Sequence, residues 1–266
     1  MISQPVKRVA LVTGAGSGIG AATAELLAQR GFQVGVLTRS AEEARGVVDR
    51  IERAGGEAVA LVADVRDERG VQAAVEHLVG RFGGLDALFA NAGINGAAGP
   101  LDRLTVEDFD ETVGTNLKGT FITLKAAVPE IKKRSGAGRT GSIVVCSSIN
   151  GTHTFNDPGT IIYSATKAAL IAMAKLLALE LAKDKVRVTA VCPGSIDTQI
   201  DENTEKRSIG RAGHEVRFPK GEIPLTGKQP GRAEQVARLV AFLMSDEADH
   251  ITGTEVVIDG GQSLVV

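Results

Sequence analysis

The feature that most constrains the fold is a regular alternation of short β-branched runs with longer segments of helical periodicity. The strand candidates share near-continuous hydrophobicity, and they are Arg8–Thr13, Gln33–Leu37, Glu57–Val62, Ala87–Ala90, Ser142–Cys146, Val186–Val191 and Glu255–Ile258. The helix candidates repeat apolar residues at helical spacing, and they are Ile19–Arg30, Ala41–Ala54, Arg69–Phe82, Val106–Lys133, Ile161–Lys183 and Arg232–Met244. Strands of this kind suit a parallel sheet buried on both faces. The pattern therefore predicts an α/β fold with a doubly wound, mostly parallel seven-stranded sheet and helices on both faces.

The alternation continues along the 266 residues without a fixed-period repeat or a linker rich in Ser, Pro and Gly. We therefore expect a single domain over residues 1–266. One stretch, Gln199–Gly231, breaks the pattern and is rich in charge, glycine and proline, so we expect it to form a substrate lid. Two helix starts carry capping boxes, Ser40–Glu43 and Thr105–Asp108.

Charge and composition argue against several classes of partner. The net charge is −2 and the basic residues are scattered, so we expect no nucleic-acid or membrane-surface binding. The first apolar run, Val9–Val12, is too short for a signal-peptide core, and no later run is expected to span a membrane. Cys146 and Cys192 both fall in apolar strand-like runs. These observations predict a cytoplasmic protein without disulfides.

A glycine-rich turn, Thr13–Gly20, links the first predicted strand to the first predicted helix. Glycines permit a tight turn and let backbone N–H groups approach a pyrophosphate, which the helix dipole also favours. The spacing is G-x-x-x-G-x-G and differs from the commoner G-x-G-x-x-G. Because a strand precedes the turn and a helix follows it, the turn predicts a dinucleotide site.

Tyr163, the only tyrosine of the chain, precedes Lys167 by four residues at the start of an apolar helical segment. Residues four apart share a face of a helix, so the hydroxyl and the ammonium can address one ligand. A free phenol titrates near pH 10, and a neighbouring cation favours its phenolate form. The pair therefore suits acid/base chemistry. The alternative is a helix with one interfacial tyrosine and one solvated lysine.

Several short motifs occur in one order across most of the chain. They are Thr13-Gly14-x3-Gly18-Ile19-Gly20, Asn91-Ala92-Gly93, Asn116, Ser148, Tyr163-x3-Lys167 and Pro193-Gly194. This set resembles the short-chain dehydrogenase/reductase family, of the compact cytosolic kind, and the resemblance extends to Asp259–Gly261. It implies a Rossmann fold that binds NAD or NADP along the carboxyl edge of the sheet. It also implies a homo-oligomer, expected to be a tetramer, and the apolar segments Val106–Lys133 and Ile161–Lys183 support contacts between copies.

The resemblance implies four catalytic residues. Ser148 would polarise the substrate carbonyl, and Tyr163 would donate the proton. Lys167 would support Tyr163 and bind the nicotinamide ribose, while Asn116 would anchor a water chain from Lys167 to solvent. Ser147 is the neighbouring candidate for the serine, but alternation sends the two side chains to opposite faces and the S-x-x-Gly pattern favours Ser148. Asn116 could also be an ordinary polar surface residue.

The resemblance also implies which residues contact the cofactor. Asp64 and Val65 match the pair that contacts adenine, and the loop Pro193–Thr198 matches the segment that fixes the nicotinamide carboxamide. The complete expected set is Gly14, Gly16, Ser17, Gly18, Ile19, Arg39, Ser40, Asp64, Val65, Asn91, Ala92, Gly93, Tyr163, Lys167, Pro193, Gly194, Ile196 and Thr198.

The end of the second predicted strand bears on the choice between NAD and NADP. An acidic residue there would bind the ribose hydroxyls of NAD and repel a 2′-phosphate. The run Val36–Ser40 contains no acid, and Arg39 with Ser40 could bind the phosphate. We therefore expect NADP(H) as the preferred cofactor, with NAD(H) also possible. The alternative makes Arg39 a solvated turn residue and Ser40 a helix cap.

Metal-dependent and hydrolytic chemistry have little support in the sequence. His77, His153, His214 and His250 lie far apart without metal-ligand spacing, so we expect no metal site. His153 could touch substrate, or it could be a solvated loop residue. A G-x-S-x-G nucleophile motif does not occur in the chain.

The sequence therefore predicts an oxidoreductase that moves a hydride between NADP(H) and a small-molecule ketone or secondary alcohol. The charged lid segment favours a small or polar substrate. Three alternatives stay open: a 3-oxoacyl-thioester reductase, an NAD-linked polyol or sugar dehydrogenase, and a catalytically silent dinucleotide sensor. The presence of Asn116, Ser148, Tyr163 and Lys167 together argues against the sensor.

Overall fold

The sheet at the centre of the protein contains seven parallel strands within the described part of the chain. A computed structural model describes residues 7–136, 139–155, 157–198, 204–207, 223–227 and 229–265. The strands are β1 (Val9–Thr13), β2 (Gln33–Thr38), β3 (Glu57–Val62), β4 (Ala87–Ala90), β5 (Gly141–Cys146), β6 (Val186–Pro193) and β7 (Glu255–Ile258). Their order is β7-β6-β5-β4-β1-β2-β3, which is the predicted doubly wound topology of a Rossmann fold.

Helices cover both faces of this sheet. Their ranges are α1 (Gly18–Gln29), α2 (Ala41–Arg53), α3 (Glu68–Phe82), α4 (Val106–Val113), α5 (Gly119–Gly136), α6 (Ile161–Leu181) and α7 (Ala233–Leu243). The buried residues of α3, α5 and α6 share one apolar core with the sheet. Those of α1, α2 and α7 share a second core on the opposite face. Strands buried on both sides explain the continuous hydrophobicity of the strand sequences.

The segment 106–133 differs from the single helix expected from sequence. It contains α4, a π-helical turn over Gly114–Lys118, and then α5. The side chain of Asn116 lies at the centre of this turn and hydrogen-bonds the backbone of Ile94 in both directions. These contacts with a neighbouring loop stabilise the extra residue in the turn, which a helical sequence period does not indicate.

Helix α6, with the short turn that follows it, also corrects an expectation. By length and composition alone, the span Ile161–Asp184 could cross a membrane, although no run of this kind was expected. Its buried residues, including Leu170 and Ala174, belong to the core on one face of the sheet. A core helix of a globular protein passes the same test, so the span is weak evidence for a membrane segment.

The predicted lid over residues 199–231 lies largely outside the described residues. Within it, Glu205 and Lys206 pair in parallel with Ala97 and Ala98. Arg207 donates hydrogen bonds to Glu205 and forms an ion pair with Asp108, at the capping box that starts α4. These contacts attach one short part of the segment to the edge of the domain.

Strands β1 and β4 are adjacent in the sheet, but the chain leaves their carboxyl ends towards opposite faces. In a doubly wound sheet this reversal opens a crevice outside the carboxyl ends of the two strands. Thr13 at the end of β1 pairs with Leu37 of β2, and Val12 pairs with Phe89 of β4. The carboxyl ends of these strands therefore lie side by side. In open α/β sheets this switch point is where ligands bind.

Asp86 fixes the opposite ends of the same two strands. Its side chain is 1% exposed, and its Oδ2 accepts a hydrogen bond from the backbone N–H of Val9 at 2.8 Å. Arg134 and Arg139 each donate to Asp86, both at 3.2 Å to Oδ1. A buried carboxylate needs such partners because an unpaired charge in the interior is costly.

We expect Asp86→Asn to destabilise the protein by about 3 kcal/mol, because the variant removes the buried negative charge that the guanidinium groups of Arg134 and Arg139 both contact. Asp246→Asn is the matched control, since Asp246 pairs with Arg8 but its side chain is 81% exposed. That change should cost less than about 1 kcal/mol. Chemical denaturation measures both values, and equal losses would contradict the role of Asp86.

Candidate active site

The glycine-rich turn at the end of β1 has the geometry of a phosphate-binding loop. Gly14 and Gly18 have φ values of +61° and +51°, which favour glycine. A Cβ atom on Gly20 would collide with the carbonyl oxygen of Gly14 and lie 2.8 Å from Nδ2 of Asn91. Ser17 is exposed at the start of α1, and Ile19 is half-buried in its first turn. The turn therefore keeps its backbone open beside the helix N-terminus, as a pyrophosphate requires.

Thr13 and Asn91 join this turn to the end of β4. The Thr13 hydroxyl accepts hydrogen bonds from the backbone N–H groups of Asn91 and Ala92, at 3.0 and 3.1 Å. The Asn91 amide donates to the carbonyl oxygens of Thr13 and Gly14, at 3.1 and 3.3 Å. The site residues expected from the sequence do not include Thr13, although its hydroxyl holds Asn91 and Ala92 in place.

The end of β2 carries Arg39 and Ser40 beside the glycine-rich turn. Arg39 is exposed, and Ser40 caps α2 by accepting a hydrogen bond from the backbone N–H of Glu43 at 3.2 Å. The capping box expected over Ser40–Glu43 is thus met by its serine half. The Glu43 carboxylate instead accepts a hydrogen bond from the Thr38 hydroxyl at 3.2 Å.

Asp64 and Val65 follow β3 at the same edge and differ in their surroundings. Asp64 forms a bidentate ion pair with Arg66, with Nη2 to Oδ2 at 2.7 Å. Hydrogen bonding from Arg66 lowers the pKa of the Asp64 carboxyl. The Val65 side chain is buried against Gly119, where an added Cβ would lie 2.7 Å from Val65 Cγ2. A contact between Val65 and an adenine would therefore use the Val65 backbone.

Ser147 and Ser148 follow β5 and have separate partners, as the alternation predicts. The Ser147 hydroxyl donates to the carbonyl oxygen of Lys167 at 2.7 Å. Ser148 Oγ accepts a hydrogen bond from the backbone N–H of Asn150 at 3.1 Å, so its own proton can be donated to a ligand. Gly151, with φ of +80°, packs its backbone on Ser164 and draws the Ser148 loop onto the start of α6.

Tyr163 and Lys167 lie one turn apart on α6. Lys167 is 4% exposed, and its ammonium donates to the carbonyl oxygen of Cys146 at 2.9 Å. The same nitrogen lies 5.5 Å from the centre of the Tyr163 ring. A buried cation therefore lies beside the half-buried phenol. Burial raises the pKa of the neighbouring Cys146 thiol, which keeps that group neutral.

Asn116 connects helix α6, which carries Tyr163 and Lys167, to the loop after β4. Its amide nitrogen donates to the Ile94 carbonyl at 2.9 Å and to the Thr166 hydroxyl at 3.1 Å, while Oδ1 accepts from Ile94 N–H at 2.8 Å. The Thr166 hydroxyl in turn donates to the Tyr163 carbonyl at 2.7 Å. A Cβ atom on Gly93 would lie 3.2 Å from Asn116 Oδ1 and 3.4 Å from Lys167 Nζ. Asn116 is fully buried and is not a surface residue.

The loop after β6 closes the other side of the crevice. Pro193 is buried at the end of β6, and Ile196 pairs with Gly231. Gly194 packs so closely on Asp259 that an added Cβ would lie 2.6 Å from its side chain. The side chain of Thr198 faces Gly18 at 3.2 Å from the position of an added Cβ. The loop expected at the nicotinamide therefore lies opposite the glycine-rich turn.

Besides Thr13, three contributors to this site were given no supporting role from the sequence. Gln262 Oε1 accepts a hydrogen bond from the backbone N–H of Ser195 at 2.8 Å, so the C-terminal segment holds the Ser195 loop. Ser147 supports Lys167 through its backbone, and Glu43 reaches the end of β2. Their partners are distant in sequence or depend on a side-chain rotamer, and a single sequence carries no signal for either.

The predicted site residues lie along the carboxyl edge of the sheet. Among the described residues, no cluster of His, Cys, Asp and Glu could hold a metal ion, and His214 lies outside them. His153 is exposed in the loop after Ser148. The edge combines a backbone cradle for phosphates with a hydroxyl, a phenol and a buried ammonium. Such a set can bind a dinucleotide and move a proton at a carbonyl oxygen.

Comparison with known proteins gives consistent similarities over nearly the whole chain. A family model described as enoyl-(acyl carrier protein) reductase matches residues 14–263. A 3-oxoacyl-(acyl-carrier-protein) reductase of Thermotoga maritima is 38% identical over 96% of this chain and 97% of its own length. A cyclohexanol dehydrogenase of Acinetobacter sp. strain SE19 is 37% identical over 95% of this chain and 94% of its own.

Several solved structures are also similar to this chain over nearly its whole length. A 3-ketoacyl-ACP reductase of Sinorhizobium meliloti 1021 is 53% identical, with a TM-score of 0.92 over 97% of this chain and 100% of that one. A 3-ketoacyl-(acyl-carrier-protein) reductase of Brucella melitensis, complexed with NADH, is 32% identical with a TM-score of 0.84, covering 96% and 98%. A short-chain dehydrogenase of Burkholderia cenocepacia J2315, in complex with NADP, is 36% identical with a TM-score of 0.82, covering 97% and 99%.

The close approach of α1 to the glycine-rich turn leads to a test of the cradle. We expect Gly20→Ala to weaken dinucleotide binding by about tenfold or more and to destabilise the protein by about 1–3 kcal/mol, because the added methyl overlaps the Gly14 carbonyl.

Gly80→Ala is the matched control for this change. Gly80 also lies within a helix, α3, and an added Cβ there meets nothing within 4 Å. The control should leave binding unchanged and stabilise the helix by about 0.5–1 kcal/mol. Cofactor titration and thermal denaturation check both variants. Equal binding by Gly20→Ala and Gly80→Ala would show that the cradle does not need glycine at position 20.

Proposed function

Because the chain belongs to the short-chain dehydrogenase/reductase family, we propose that it is a carbonyl reductase that uses NADP(H) on a ketone or secondary alcohol. The enzyme is an oxidoreductase that acts on CH–OH and C=O groups with a nicotinamide dinucleotide. Its substrate class and its preference for NADP(H) belong to the proposal. So do the roles of the individual residues.

The observation that carries the proposal is the grouping of Ser148, Tyr163 and Lys167 at the carboxyl edge of the sheet. Ser148 can donate its hydroxyl proton, and Lys167 is a buried cation 5.5 Å from the Tyr163 ring. The glycine-rich turn lies on the same edge, next to the switch point between β1 and β4. A protein that only senses a dinucleotide has no use for this complete set.

In the proposed reaction the protein orients and polarises the substrate, while the bound cofactor supplies or accepts the hydride. Ser148 and Tyr163 donate hydrogen bonds to the carbonyl oxygen, which fixes the substrate and stabilises negative charge on that oxygen. Tyr163 then gives its proton to the oxygen. The Lys167 ammonium stabilises the phenolate that results, and it would also hold the nicotinamide ribose of a bound cofactor. Asn116 holds α6 and the loop after β4 in register around Lys167 and anchors the path that returns a proton.

Charge at the end of β2 supports a preference for NADP(H). Arg39 is exposed there, next to the hydroxyl of Ser40, and the strand itself ends without an acid. A guanidinium binds a phosphate through charge-assisted hydrogen bonds. NAD(H) lacks the 2′-phosphate but offers the same pyrophosphate to the glycine-rich turn, so it remains a second cofactor.

A 3-oxoacyl-thioester reductase is the second candidate for the substrate class, since three of the similar proteins are named 3-oxoacyl- or 3-ketoacyl-(acyl-carrier-protein) reductases, at 38%, 53% and 32% identity. An NAD-linked polyol or sugar dehydrogenase is the third. Initial rates with a simple diketone, a 3-oxoacyl thioester and NADPH, and with a polyol and NAD, separate these candidates. Absence of turnover with all of them would contradict the proposal.

The lid is also part of the proposal, as is the location of the enzyme. We propose that residues 199–231 cover a small or polar carbonyl compound within a single domain of residues 1–266. We place the enzyme in the cytoplasm, because Cys146 and Cys192 are both buried free thiols. Burial raises the pKa of Cys192 to about 12, which keeps this thiol unreactive.

We expect Tyr163→Phe to lower kcat by about 100-fold or more, because the variant lacks the proton that the carbonyl oxygen receives. The ring and its packing remain, so the Kd for NADPH should stay within about twofold. Steady-state assays of carbonyl reduction give kcat, and a separate NADPH titration gives the Kd. A variant that keeps a sizeable share of wild-type turnover would exclude Tyr163 as the proton donor.

We expect Arg39→Ala to raise the Kd for NADPH by about ten- to a hundredfold, which corresponds to a charge-assisted contact of about 1.5–3 kcal/mol. The Kd for NADH should hardly change, because NADH has no 2′-phosphate. Arg30→Ala is the control, since Arg30 is an exposed arginine after α1, at the opposite edge of the sheet. Tighter binding of NADH than NADPH by the wild-type protein would contradict the cofactor preference.

We also expect a homotetramer. Leu176 and Leu179 on α6 are 71% and 78% exposed, and Phe121 on α5 and Leu264 near the C-terminus are exposed as well. Apolar side chains of this size on a soluble enzyme indicate contacts between copies. Light scattering at micromolar concentration measures the mass, and Leu176→Glu with Leu179→Glu should shift it towards smaller species. A monomeric wild-type mass would contradict the expectation.

A further inference from the structure

Helix α2 brings a carboxylate to the end of β2, although the strand itself ends without an acid. Glu43 is the third residue of α2, and its side chain accepts a hydrogen bond from the Thr38 hydroxyl at 3.2 Å. At the start of α4 the equivalent carboxylate, Asp108, turns back to the cap and accepts from Thr105 N–H at 2.7 Å. Glu43 faces the strand end instead, so its charge lies away from its own helix cap.

Glu43 also packs against the glycine-rich turn. A Cβ atom on Gly16 would collide with Oε2 of Glu43, and it would lie 2.9 Å from Glu43 Cβ and 3.0 Å from Thr38 Oγ1. The Glu43 side chain therefore fills the place that a side chain at position 16 would take. Its carboxylate lies between the turn expected to hold the pyrophosphate and the end of β2.

A carboxylate in this position suits an adenosine ribose that binds beside it. In a Rossmann fold the pyrophosphate lies at the turn, and an acid near the end of β2 accepts hydrogen bonds from the ribose hydroxyls. A carboxylate there favours a ribose with free hydroxyls and repels a 2′-phosphate. Arg39 has the opposite effect on the phosphate. Asp64, the other acid at this edge, is neutralised by its bidentate ion pair with Arg66.

We propose that Glu43 is a specificity-determining residue for the dinucleotide. Its carboxylate accepts hydrogen bonds from the ribose hydroxyls of NAD(H) and raises the Kd for NADP(H) by repelling the 2′-phosphate. Glu43 thus acts on the 2′-phosphate in the opposite sense to Arg39, and it reduces the preference for NADP(H) over NAD(H). The inference rests on the proposed function in one respect, namely that a nicotinamide dinucleotide binds at this edge.

The test compares Glu43→Gln with Glu42→Gln. The two substitutions remove the same charge from the same turn of α2, and Glu42 is exposed and is not among the nearest neighbours of Gly16. Glutamine keeps the size of Glu43 and can still accept the Thr38 hydrogen bond. NADPH and NADH are titrated by their own fluorescence, without substrate. The measurement is therefore independent of whether the protein reduces carbonyl compounds.

For Glu43→Gln we expect the Kd for NADPH to fall by about three- to tenfold and the Kd for NADH to rise by about two- to fivefold. Glu42→Gln should move neither by more than about twofold. Raising the salt from about 20 mM to about 0.5 M should shrink the NADPH difference between wild type and Glu43→Gln, because the repulsion is screened. A structural role for Glu43 would not produce this salt dependence.

The inference is overturned if Glu43→Gln changes both Kd values by the same factor, or if it behaves like Glu42→Gln. The outcome is separable from that of the proposed function. Absence of carbonyl turnover with a shifted NADPH-to-NADH ratio would reject the proposed substrate class and retain the role of Glu43. Carbonyl turnover with an unshifted NADPH-to-NADH ratio would retain the proposed substrate class and reject the role of Glu43.

Discussion

The hydrogen bonds between Thr13 and the segment after β4 fix the geometry on which the rest of the site depends. One buried hydroxyl accepts from two successive backbone N–H groups, and the Asn91 amide returns two bonds to the glycine-rich turn. At the amino ends of the same strands, Asp86 holds β1 and β4 together. Because both ends are tied, β1 and β4 are held together at the switch point, and the turn meets the loop after β4 in one register.

The positions of Tyr163 and Lys167 depend on a second junction, between α6 and the π-helical turn. Asn116 bonds to Ile94 on the loop after β4 and to Thr166 on α6, so one side chain joins three segments. Lys167 is held from both ends, since its ammonium donates to Cys146 and its carbonyl accepts from Ser147. A π-turn adds a residue to the helix and reduces its regularity, and these bonds compensate for that loss. The irregular turn is what brings Asn116 inward.

Much of the fold was predictable because strands buried on both faces must be apolar throughout, and motifs such as Tyr163 and Lys167 depend on helical spacing alone. The strand bounds differ from the sequence prediction by at most two residues. What the sequence could not reveal depends on contacts between distant segments. The break at Gly114–Lys118, the support of Ser195 by Gln262 and the rotamer of Glu43 each need a partner whose position only the folded chain defines. Ser40–Glu43 and Thr105–Asp108 have similar sequences, yet their acids face different partners.

The residues proposed for catalysis and those proposed for cofactor choice differ in burial. Asn116, Lys167 and Ser148 are 0%, 4% and 8% exposed, so each depends on partners in the core, and replacing one leaves buried groups unsatisfied. Arg39 and Glu43 are exposed, and their charges act through solvent on whatever binds between them. A change of charge at Arg39 or Glu43 should therefore cost little stability, whereas replacing Asn116, Lys167 or Ser148 should disturb the fold. On the proposed assignment, the choice of dinucleotide can then shift through surface substitutions while the residues proposed for proton transfer stay the same.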